Sequence, residues 1–160
     1  MPIALALYQP DIPHNTGALL RLGACLGVDI HVIEPIGFRL DDKALRRAGM
    51  DYLDLAALHR HVSFEAFNDA RHTQGRRLIA CETEGATPHH DFAFQPHDLI
   101  LMGRESAGTP RAVLDHCDDL VKIPMRAGVR SLNLALASAI VIGEALRQTG
   151  GYPSTTATAP

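Results

Sequence analysis

The sequence predicts an α/β protein of one domain, with a parallel sheet flanked by helices. Apolar runs of strand length alternate along the chain with segments of helical periodicity, which is the pattern of parallel strands covered on both faces. The length of 160 residues fits one domain, and 46% apolar and 21% charged residues are ordinary for a globular protein. We place the domain at residues 1–152 and a disordered tail at 153–160, where the sequence is PSTTATAP.

The first half of the chain predicts three strands and three helices. Continuous apolar residues at 3–8 and the run VDIHVIEP at 28–35 predict strands that prolines terminate. Asn15 and Thr16 are expected to cap a helix that runs to about residue 26, and Gly27 to end it. The remaining elements are a short basic helix opened by Asp41 and Asp42, a weak strand within 53–61, and a helix from Ser63 to about Arg71.

The second half adds three strands and two helices. The strands are predicted from the apolar runs at 76–83, 97–103 and 118–125. Pro110 is expected at the first position of a short helix, where its fixed φ is favourable. Ser131 is expected to cap a long helix over 132–148, which ends at Gly150. That helix is apolar almost all round up to Gly143, so most of its faces must be buried in the core or against another subunit.

Charge and cysteine content limit the class of protein. The net charge is −3 with histidine neutral, which argues against a uniformly basic surface but leaves room for a local patch that binds phosphates. The three cysteines are odd in number and far apart, so we expect a reduced, cytoplasmic protein rather than a disulfide framework. The N-terminus lacks the basic region of a signal peptide, and no segment reaches the ~20 uncharged apolar residues of a membrane span.

Several familiar motifs are incomplete. The first strand–helix turn lacks GxGxxG, which argues against a standard dinucleotide-binding fold. The segment GRESAG at 103–108 has P-loop glycine spacing but no following lysine, and Ser106 lacks the first glycine of a nucleophile elbow. The histidines at 59, 61, 89 and 90 lack a matching ligand set and are expected at the surface or in loops. A hydrolase, a nucleotide-driven switch and a metal centre are therefore disfavoured.

Two segments place glycine or polar residues just after an apolar strand, where ligands bind in open α/β sheets. PHNTGALLRLG, at 13–23, carries Arg21 about two turns into an apolar helix. A solvated arginine is the simpler interpretation, and contact with a phosphate or hydroxyl is the alternative. LILMGRESAGTP, at 99–110, lets the backbone approach a ligand closely. Its Glu105 is interpreted equally well as a turn residue or as a carboxylate at the mouth of a site.

A third segment, KIPMRAGVRSLNLALASAIVIGEAL at 122–146, joins a glycine-containing loop to the long helix. Arg126 and Arg130 lie in that loop, just before the expected cap at Ser131. Asn133 lies near the start of a helix that must be buried, and a buried amide needs hydrogen-bond partners. Asn133 is therefore a candidate for a site as well as for a structural role.

Together the three segments resemble the motifs of the SPOUT superfamily of RNA methyltransferases. NTG…R…G, MGRE-x-x-G-x-P and IPM…RSLN-x-A-x-A-x-A match its three motifs in order and in spacing over nearly the whole chain. The nearest resemblance is to the branch without an added RNA-binding domain, the tRNA (cytidine/uridine-34) 2′-O-methyltransferases. The stretches YQPDIPHNTG, HVIEPIGF and DDKALRRAGMDY are similar to the sequences of that subgroup. Some relatives carry another apolar residue in place of Leu132, from which we expect little consequence.

The resemblance implies a homodimer with a C-terminal trefoil knot, whose loops form a pocket for S-adenosylmethionine. By position, the cofactor should contact Cys81, Gly103, Ile123, Ser131 and Leu132. The first and last helices are the implied dimer interface, and both subunits form the RNA site. The implied reaction is 2′-O-ribose methylation of the wobble nucleotide of tRNA, C or U at position 34, without a metal. Methylation of rRNA or of another tRNA position, and a non-catalytic RNA-binding dimer, are alternatives.

Roles for particular side chains follow from the implied chemistry. A ribose 2′-hydroxyl is a poor nucleophile at neutral pH, so the site must position it and assist loss of its proton. We assign this step to Arg21, as an unusually acidic base or, as we favour, by stabilising the developing alkoxide, because arginine is seldom deprotonated. Glu105 and Asn133 would hold the hydroxyl and the cofactor in line. The cations expected to contact the anticodon stem-loop are Lys43, Arg46, Arg47, Arg126 and Arg130.

Overall fold

The computed structural model describes residues 2–38 and 57–154. The strands within these ranges are β1 Ala4–Tyr8, β2 Asp29–Ile33, β3 Leu58–His61, β4 Leu78–Cys81, β5 Thr87–Pro88, β6 Leu99–Met102 and β7 Asp119–Lys122. The helices are α1 Pro13–Leu26, α2 Phe64–Thr73, α3 Arg111–Leu114 and α4 Leu134–Thr149. The strands form one sheet in the order β3-β2-β1-β6-β4-β7-β5, and every pair is parallel. The predicted fold class is confirmed.

Helices cover both faces of this sheet because its central strands are apolar on both sides. Alternation along β1 directs Leu5 and Leu7 into one core, which includes Leu19 of α1 and Val141 of α4. The alternate residues of β1, which are Ala4, Ala6 and Tyr8, belong with Phe67 of α2 to the core on the other face. Full burial of a large apolar side chain contributes about 1.5–3 kcal/mol. The strands in the middle of the sheet are therefore a firm base for the loops at their carboxyl ends.

The start of α1 differs from the prediction that Asn15 or Thr16 caps it. The helix begins at Pro13, with Ile12 in the capping position and no side-chain cap. Proline is suited to the first turn because its φ is already helical and its missing N–H needs no partner there. Asn15 and Thr16 lie inside the helix and are buried, so the amide of Asn15 is available for long-range contacts.

The start of α4 also differs, because Ser131 is not its cap. The helix begins at Leu134, and Oδ1 of Asn133 accepts hydrogen bonds from the backbone N–H groups of Ala135 and Leu136 at 2.9 and 3.3 Å. Asparagine is among the strongest capping residues, since its side-chain oxygen satisfies N–H groups that the first turn leaves unpaired. Asn133 therefore fixes where the helix starts and leaves Ser131 in the preceding loop.

Other predicted ends agree more closely. Ser63 caps α2 by accepting a hydrogen bond from the N–H of Ala66 at 3.2 Å. Gly27 and Gly150 end α1 and α4 with φ of 67° and 64°, a conformation that glycine adopts without a steric penalty. Pro110 occupies the capping position of α3 rather than its first helical position, so that prediction is wrong by one residue.

The strands are shorter than the apolar runs suggested, and β5 was not predicted. This two-residue strand lies at the sheet edge, where a proline is tolerated because no ladder N–H is needed there. The weak strand within 53–61 is present as β3 in its described part. The basic helix expected after Asp41 and Asp42 and residues 155–160 of the tail lie outside the described residues. The trefoil knot stays a prediction.

Among the described residues, no helix has the length and apolar character to cross a membrane.

Candidate cofactor and active site

A cleft of about 590 Å³ opens beside the carboxyl ends of β4, β6 and β7, against the N-terminus of α4. Its lining includes residues 81–83, 102–108 and 130–134, together with Ile12, Asn15, Ile123, Met125 and Ala137. Small-molecule sites typically have volumes of about 300–1,000 Å³. The carboxyl edge is where open parallel sheets bind ligands, because the strand-to-helix loops converge there.

All five residues predicted to contact the cofactor line this cleft. They are Cys81, Gly103, Ile123, Ser131 and Leu132. Register explains part of the arrangement, since Cys81 at the end of β4 pairs with Met102 on one side and Val121 on the other. Burial raises the pKa of the Cys81 thiol to about 12, so this side chain is neutral and presents an apolar surface.

The loop after β6 is closed on itself, and glycine is required for that. A Cβ on Gly103 would lie 2.5 Å from the carbonyl carbon of Gly108 and from Oγ1 of Thr109. The backbone groups of Arg104 and Gly108 exchange hydrogen bonds of 3.1 and 2.9 Å across the loop, and Gly108 has φ of 65°. The glycine spacing in MGRESAG therefore encodes a tight turn with its backbone at the edge of the cleft.

Glu105, Asn15 and Asn133 form a hydrogen-bonded chain at one side of the cleft. Asn133 Nδ2 donates to Asn15 Oδ1 at 2.9 Å, and Asn15 Nδ2 donates to Glu105 Oε1 at 3.2 Å. The backbone N–H of Asp11 donates to the second carboxylate oxygen, Glu105 Oε2, at 3.0 Å. This series of hydrogen bonds joins all three sequence motifs. Asn15 was predicted only as a helix cap, and the signal for its role was its place in the NTG motif.

Glu105 and Asp11 form a pair of carboxyl groups with opposite tendencies. Burial raises the pKa of Glu105, and its contact with the Asp11 side chain raises it further. The pKa of Asp11 is lowered by hydrogen bonds with Glu105 and with the Ser106 hydroxyl, which donates to Asp11 Oδ2. Of the two groups, Asp11 is the one that stays ionised, and Glu105 is the one that takes up a proton first.

Arg21 is not part of the cleft of its own chain. Its side chain is exposed on α1, and it is absent from the cleft lining. α1 packs beside α4, the helix whose first residues border the cleft. The structure thus brings together Glu105 and Asn133 among the predicted catalytic residues, and leaves Arg21 on a neighbouring surface.

The predicted RNA-binding cations divide into three groups. Arg130 lines the cleft, as does Arg104, whose guanidinium lies 5.6 Å from the ring centre of Tyr8. Arg126 is exposed and is not among the cleft residues. The remaining predicted cations, Lys43, Arg46 and Arg47, lie outside the described residues. Within the described ranges, no group of three or more histidine, cysteine or acidic side chains is arranged to hold a metal ion.

Comparison with known proteins decides the family. The SpoU rRNA methylase family matches residues 2–143, which is most of the chain. This chain belongs to the SpoU methylase family. Its match includes every described residue that lines the cleft.

Similar proteins agree with this assignment. The chain is 55% identical over 155 residues to a tRNA (cytidine(34)-2′-O)-methyltransferase of Ancylobacter novellus, covering 97% of this chain and 98% of that protein. The enzyme of the same name from Escherichia coli K12 is 43% identical over 151 residues, covering 93% and 94%. A solved structure concerned with 2-OH methylation of C/U34 on tRNA superposes with a TM-score of 0.86 at 42% identity, covering 91% and 95%.

A further solved structure contains the cofactor expected for this SpoU chain. It is the SpoU methyltransferase AviRb from Streptomyces viridochromogenes in complex with AdoMet, with a TM-score of 0.80 and 29% identity. The match covers 91% of this chain and 57% of AviRb.

The residues of the cleft fit S-adenosylmethionine. Two polar atoms, Glu82 Oε1 and Arg104 Nε, are shielded from solvent and lack a hydrogen-bond partner within the described part of the protein. Glu82 and Arg104 belong to residues that line the cleft, together with apolar groups such as Met102 and Ile123. S-adenosylmethionine has both apolar parts and hydrogen-bonding groups, so it matches this combination.

Proposed function

We propose that this SpoU methylase transfers the methyl group of S-adenosylmethionine to the ribose 2′-hydroxyl of nucleotide 34, C or U, of tRNA. The observation that carries the proposal is the cleft, in which all three sequence motifs meet through the contacts of Asn15, Glu105 and Asn133. Support for the substrate comes from relatives named for cytidine-34 methylation that match over nearly their whole length. We place the enzyme in the cytoplasm, where tRNA is available.

The cofactor would be held by the cleft residues Cys81, Gly103, Ile123, Ser131 and Leu132. The absence of a Cβ at Gly103 brings backbone groups to the edge of the cleft. Bound S-adenosylmethionine supplies an electrophilic methyl group on a positively charged sulfur. The protein's part is to orient the incoming hydroxyl for in-line attack and to assist loss of its proton.

Glu105 and Asn133 would act by positioning. Both oxygens of Glu105 already accept hydrogen bonds, and Oδ1 of Asn133 accepts two. Asn15, which accepts from Nδ2 of Asn133 and donates to Glu105, connects the loop after β6 to the N-terminus of α4, at the place where hydroxyl and methyl group must meet. Preorganised groups of this kind lower a barrier because they need no rearrangement during the reaction.

Arg21 would assist the hydroxyl from the partner subunit of a homodimer. An exposed apolar row begins just before α4 and continues along it: Leu132, Leu136 and Ile140, at four-residue spacing, are 39%, 60% and 42% exposed. A second copy of the chain covering this row would bury an apolar surface that is costly to leave in water. Because α1 packs beside α4, the same contact would bring Arg21 of one subunit near the cleft of the other.

Cations around the cleft would bind the RNA backbone. Arg104 and Arg130 line the cleft, and exposed Arg126 follows β7 in the chain. Lys43, Arg46 and Arg47 would add phosphate contacts with the anticodon stem-loop. Neutralisation of phosphates by such residues releases counterions, which makes affinity fall steeply with salt concentration.

The test is transfer of labelled methyl from S-adenosylmethionine to bulk tRNA that lacks the modification, followed by nucleoside mapping. We expect a 2′-O-methylated pyrimidine at position 34. Label at another tRNA position or only in rRNA would overturn the assigned substrate and retain the chemistry. No transfer to any RNA by a protein that binds the cofactor would instead favour a non-catalytic RNA-binding dimer.

A further inference from the structure

Glu82 is an acidic residue in the cleft that none of the three sequence motifs includes. It follows the last residue of β4, and its backbone is fixed on both sides. Its N–H donates to the carbonyl of Val121 at 2.9 Å, and its carbonyl accepts from the N–H of Gly85 at 3.2 Å. The side chain lines the cleft next to the loop after β6, with Oε2 3.4 Å from the position of a Cβ on Gly108.

The carboxylate of Glu82 is half-buried, and one of its oxygens lacks a partner among the described residues. Oε1 is shielded from solvent and accepts no hydrogen bond from any described residue. Burial raises the pKa of Glu82, the nearby hydrogen-bonding groups of Thr109 oppose the rise, and Glu84 adds to it. A half-buried carboxylate with one shielded oxygen that lacks a partner is less well solvated than it would be in water, which weakens the folded state. Such a group at the wall of a ligand cleft is explained if the ligand supplies the missing partner.

The chemistry of the cleft indicates which partner that is. An ionised carboxylate only accepts hydrogen bonds, so its partner must be a donor. S-adenosylmethionine carries donors at both ends, the hydroxyl and amino groups of its nucleoside and the α-ammonium group of its amino acid. Carboxylates at the ends of parallel strands commonly bind ribose hydroxyls in nucleotide-binding α/β proteins, and a hydrogen bond to a charged group is stronger than one between neutral groups.

We infer that Glu82 is a cofactor-recognition residue, whose carboxylate accepts a hydrogen bond from a donor group of S-adenosylmethionine. This inference rests on the proposed function, because it takes the cleft to be the cofactor site. The motif residues would bind the cofactor largely through their backbone. Glu82 would add a side-chain contribution to cofactor affinity. This assignment also separates stability from affinity, since the group that binds the ligand weakens the unliganded fold.

The experiment compares Glu82→Gln with wild-type protein by calorimetric titration and thermal melting. The probes are S-adenosylhomocysteine, which keeps both ends of the cofactor, and 5′-methylthioadenosine, which lacks the amino acid. Glu84→Gln is the matched control, because it removes the same charge two residues further along the chain. The Glu84 side chain is exposed and lies outside the cleft lining. Glutamine keeps an acceptor oxygen but lacks the charge, and the difference between a charge-assisted and a neutral hydrogen bond corresponds to a loss of affinity of about tenfold.

We expect Glu82→Gln to bind S-adenosylhomocysteine about tenfold more weakly than wild type, while its melting temperature without ligand stays the same or rises. Loss with both probes assigns the hydrogen bond to the nucleoside, and loss with S-adenosylhomocysteine alone assigns it to the ammonium group. Affinity equal to wild type, or an equal loss in Glu84→Gln, would overturn the inference. Should Glu82→Gln fail to fold, Glu82→Asp replaces it, because the shorter side chain keeps the charge but withdraws it from the cleft. This variant too should bind S-adenosylhomocysteine more weakly than wild type, and equal affinity would overturn the inference. Wild-type protein that binds neither probe would refute the proposed function itself.

Discussion

The side-chain amide of Asn133 donates a hydrogen bond to Oδ1 of Asn15, a residue 118 positions earlier in the chain, at 2.9 Å. The same asparagine caps α4 through its own Oδ1. One side chain therefore fixes the start of a helix and connects that start to Glu105 through Asn15. Stability and site geometry depend on different atoms of Asn133, which makes the two roles separable by substitution.

Substitution of Asn133 should separate these roles. Asn133→Ala removes the cap and is expected to lower the free energy of unfolding by about 1–2 kcal/mol. Asn133→Asp keeps a capping oxygen but loses the amide donor to Asn15, so we expect near-wild-type stability with reduced methyl transfer. Urea unfolding and a tRNA methylation assay measure the two effects. Full activity in Asn133→Asp would show that the bond to Asn15 is not needed for catalysis.

Removal of the Arg21 side chain should abolish turnover while cofactor affinity is retained. If Arg21 stabilises the developing alkoxide, Arg21→Ala is expected to lower methyl transfer by about a hundredfold or more. Affinity for S-adenosylhomocysteine, measured by calorimetry, should equal that of wild type because Arg21 does not line the cleft of its own chain. Arg111→Ala, which removes an exposed arginine of α3, is the control. Failure of Arg21→Ala to bind the cofactor would contradict the assigned role.

A charge on the exposed apolar row of α4 should prevent dimer formation. Leu136 is 60% exposed in the single chain, and Leu136→Lys would place an ammonium group within the proposed interface. We expect this variant to run as a monomer in light scattering and to lose methyl transfer. Val62→Lys is the control, since Val62 is 80% exposed next to α2 and remote from α4 in the chain.

Mixed dimers test whether Arg21 acts in the partner's cleft. Arg21→Ala and Glu105→Gln subunits, each expected to be inactive alone, should regain part of the activity when they are mixed. In such a heterodimer, one cleft combines an intact Glu105 with an intact Arg21 from the other subunit. No recovery from a mixture that forms heterodimers would place both residues in the site of a single chain.

Acid should destabilise the protein through the histidines between α2 and the sheet. His31 is 7% exposed, and its Nδ1 lies 2.9 Å from Nε2 of His61. Burial, and after it the charges of His59, His61 and Arg76, lower the pKa of His31 from its ordinary value of 6.5 to about 3. Burial likewise lowers the pKa of His61. Thus the surface location expected for His61 is only partly correct, because tertiary packing half-buries it.

The sign of this effect follows from proton uptake. A depressed pKa means that the unfolded chain binds more protons between about pH 3 and 6.5, so stability is complete above pH 6.5 and is lost as the pH falls. For His31 the loss is at most about 1.4 kcal/mol per pH unit. Urea unfolding at pH 7.5, 6 and 5 measures the slope, and we expect His31→Gln to flatten it. His72→Gln, at an exposed position of α2, should retain it; equal slopes in all three proteins would refute this account.

Removal of the basic residues at 46 and 47 should weaken tRNA binding in a salt-dependent way. Replacement of both arginines by glutamine is expected to lower affinity and to reduce the slope of log affinity against log salt by about 1 for each phosphate that is no longer neutralised. Filter binding at several salt concentrations measures the slope, with Arg111→Gln as control. Unchanged affinity would exclude this basic cluster from the RNA surface.

Sequence alone anticipated most of the elements and the family, and the five residues it predicted for the cofactor line one cleft. Apolar runs such as 3–8 and 99–102 are local signals, because a buried parallel strand must be apolar on both faces. The ordered motifs then indicated the family, which the match over residues 2–143 confirms. Helix starts were less predictable, since Ser131 and Asn133 are both good caps and only the contact with Asn15 favours the second.

The tertiary structure alone decided which polar side chains have hydrogen-bond partners and which do not. Whether Glu105 contacts Asn15, and whether Oε1 of Glu82 finds a partner among residues 2–38 and 57–154, depends on the register of parallel strands far apart in sequence. No local pattern encodes those distances, because a shift of one residue along a strand turns a side chain to the opposite face. The sequence thus determined which residues gather at the carboxyl edge of the sheet. The fold determined that Arg21 lies outside the cleft of its own chain and that Glu82 lines it, since side-chain direction is set by packing between elements.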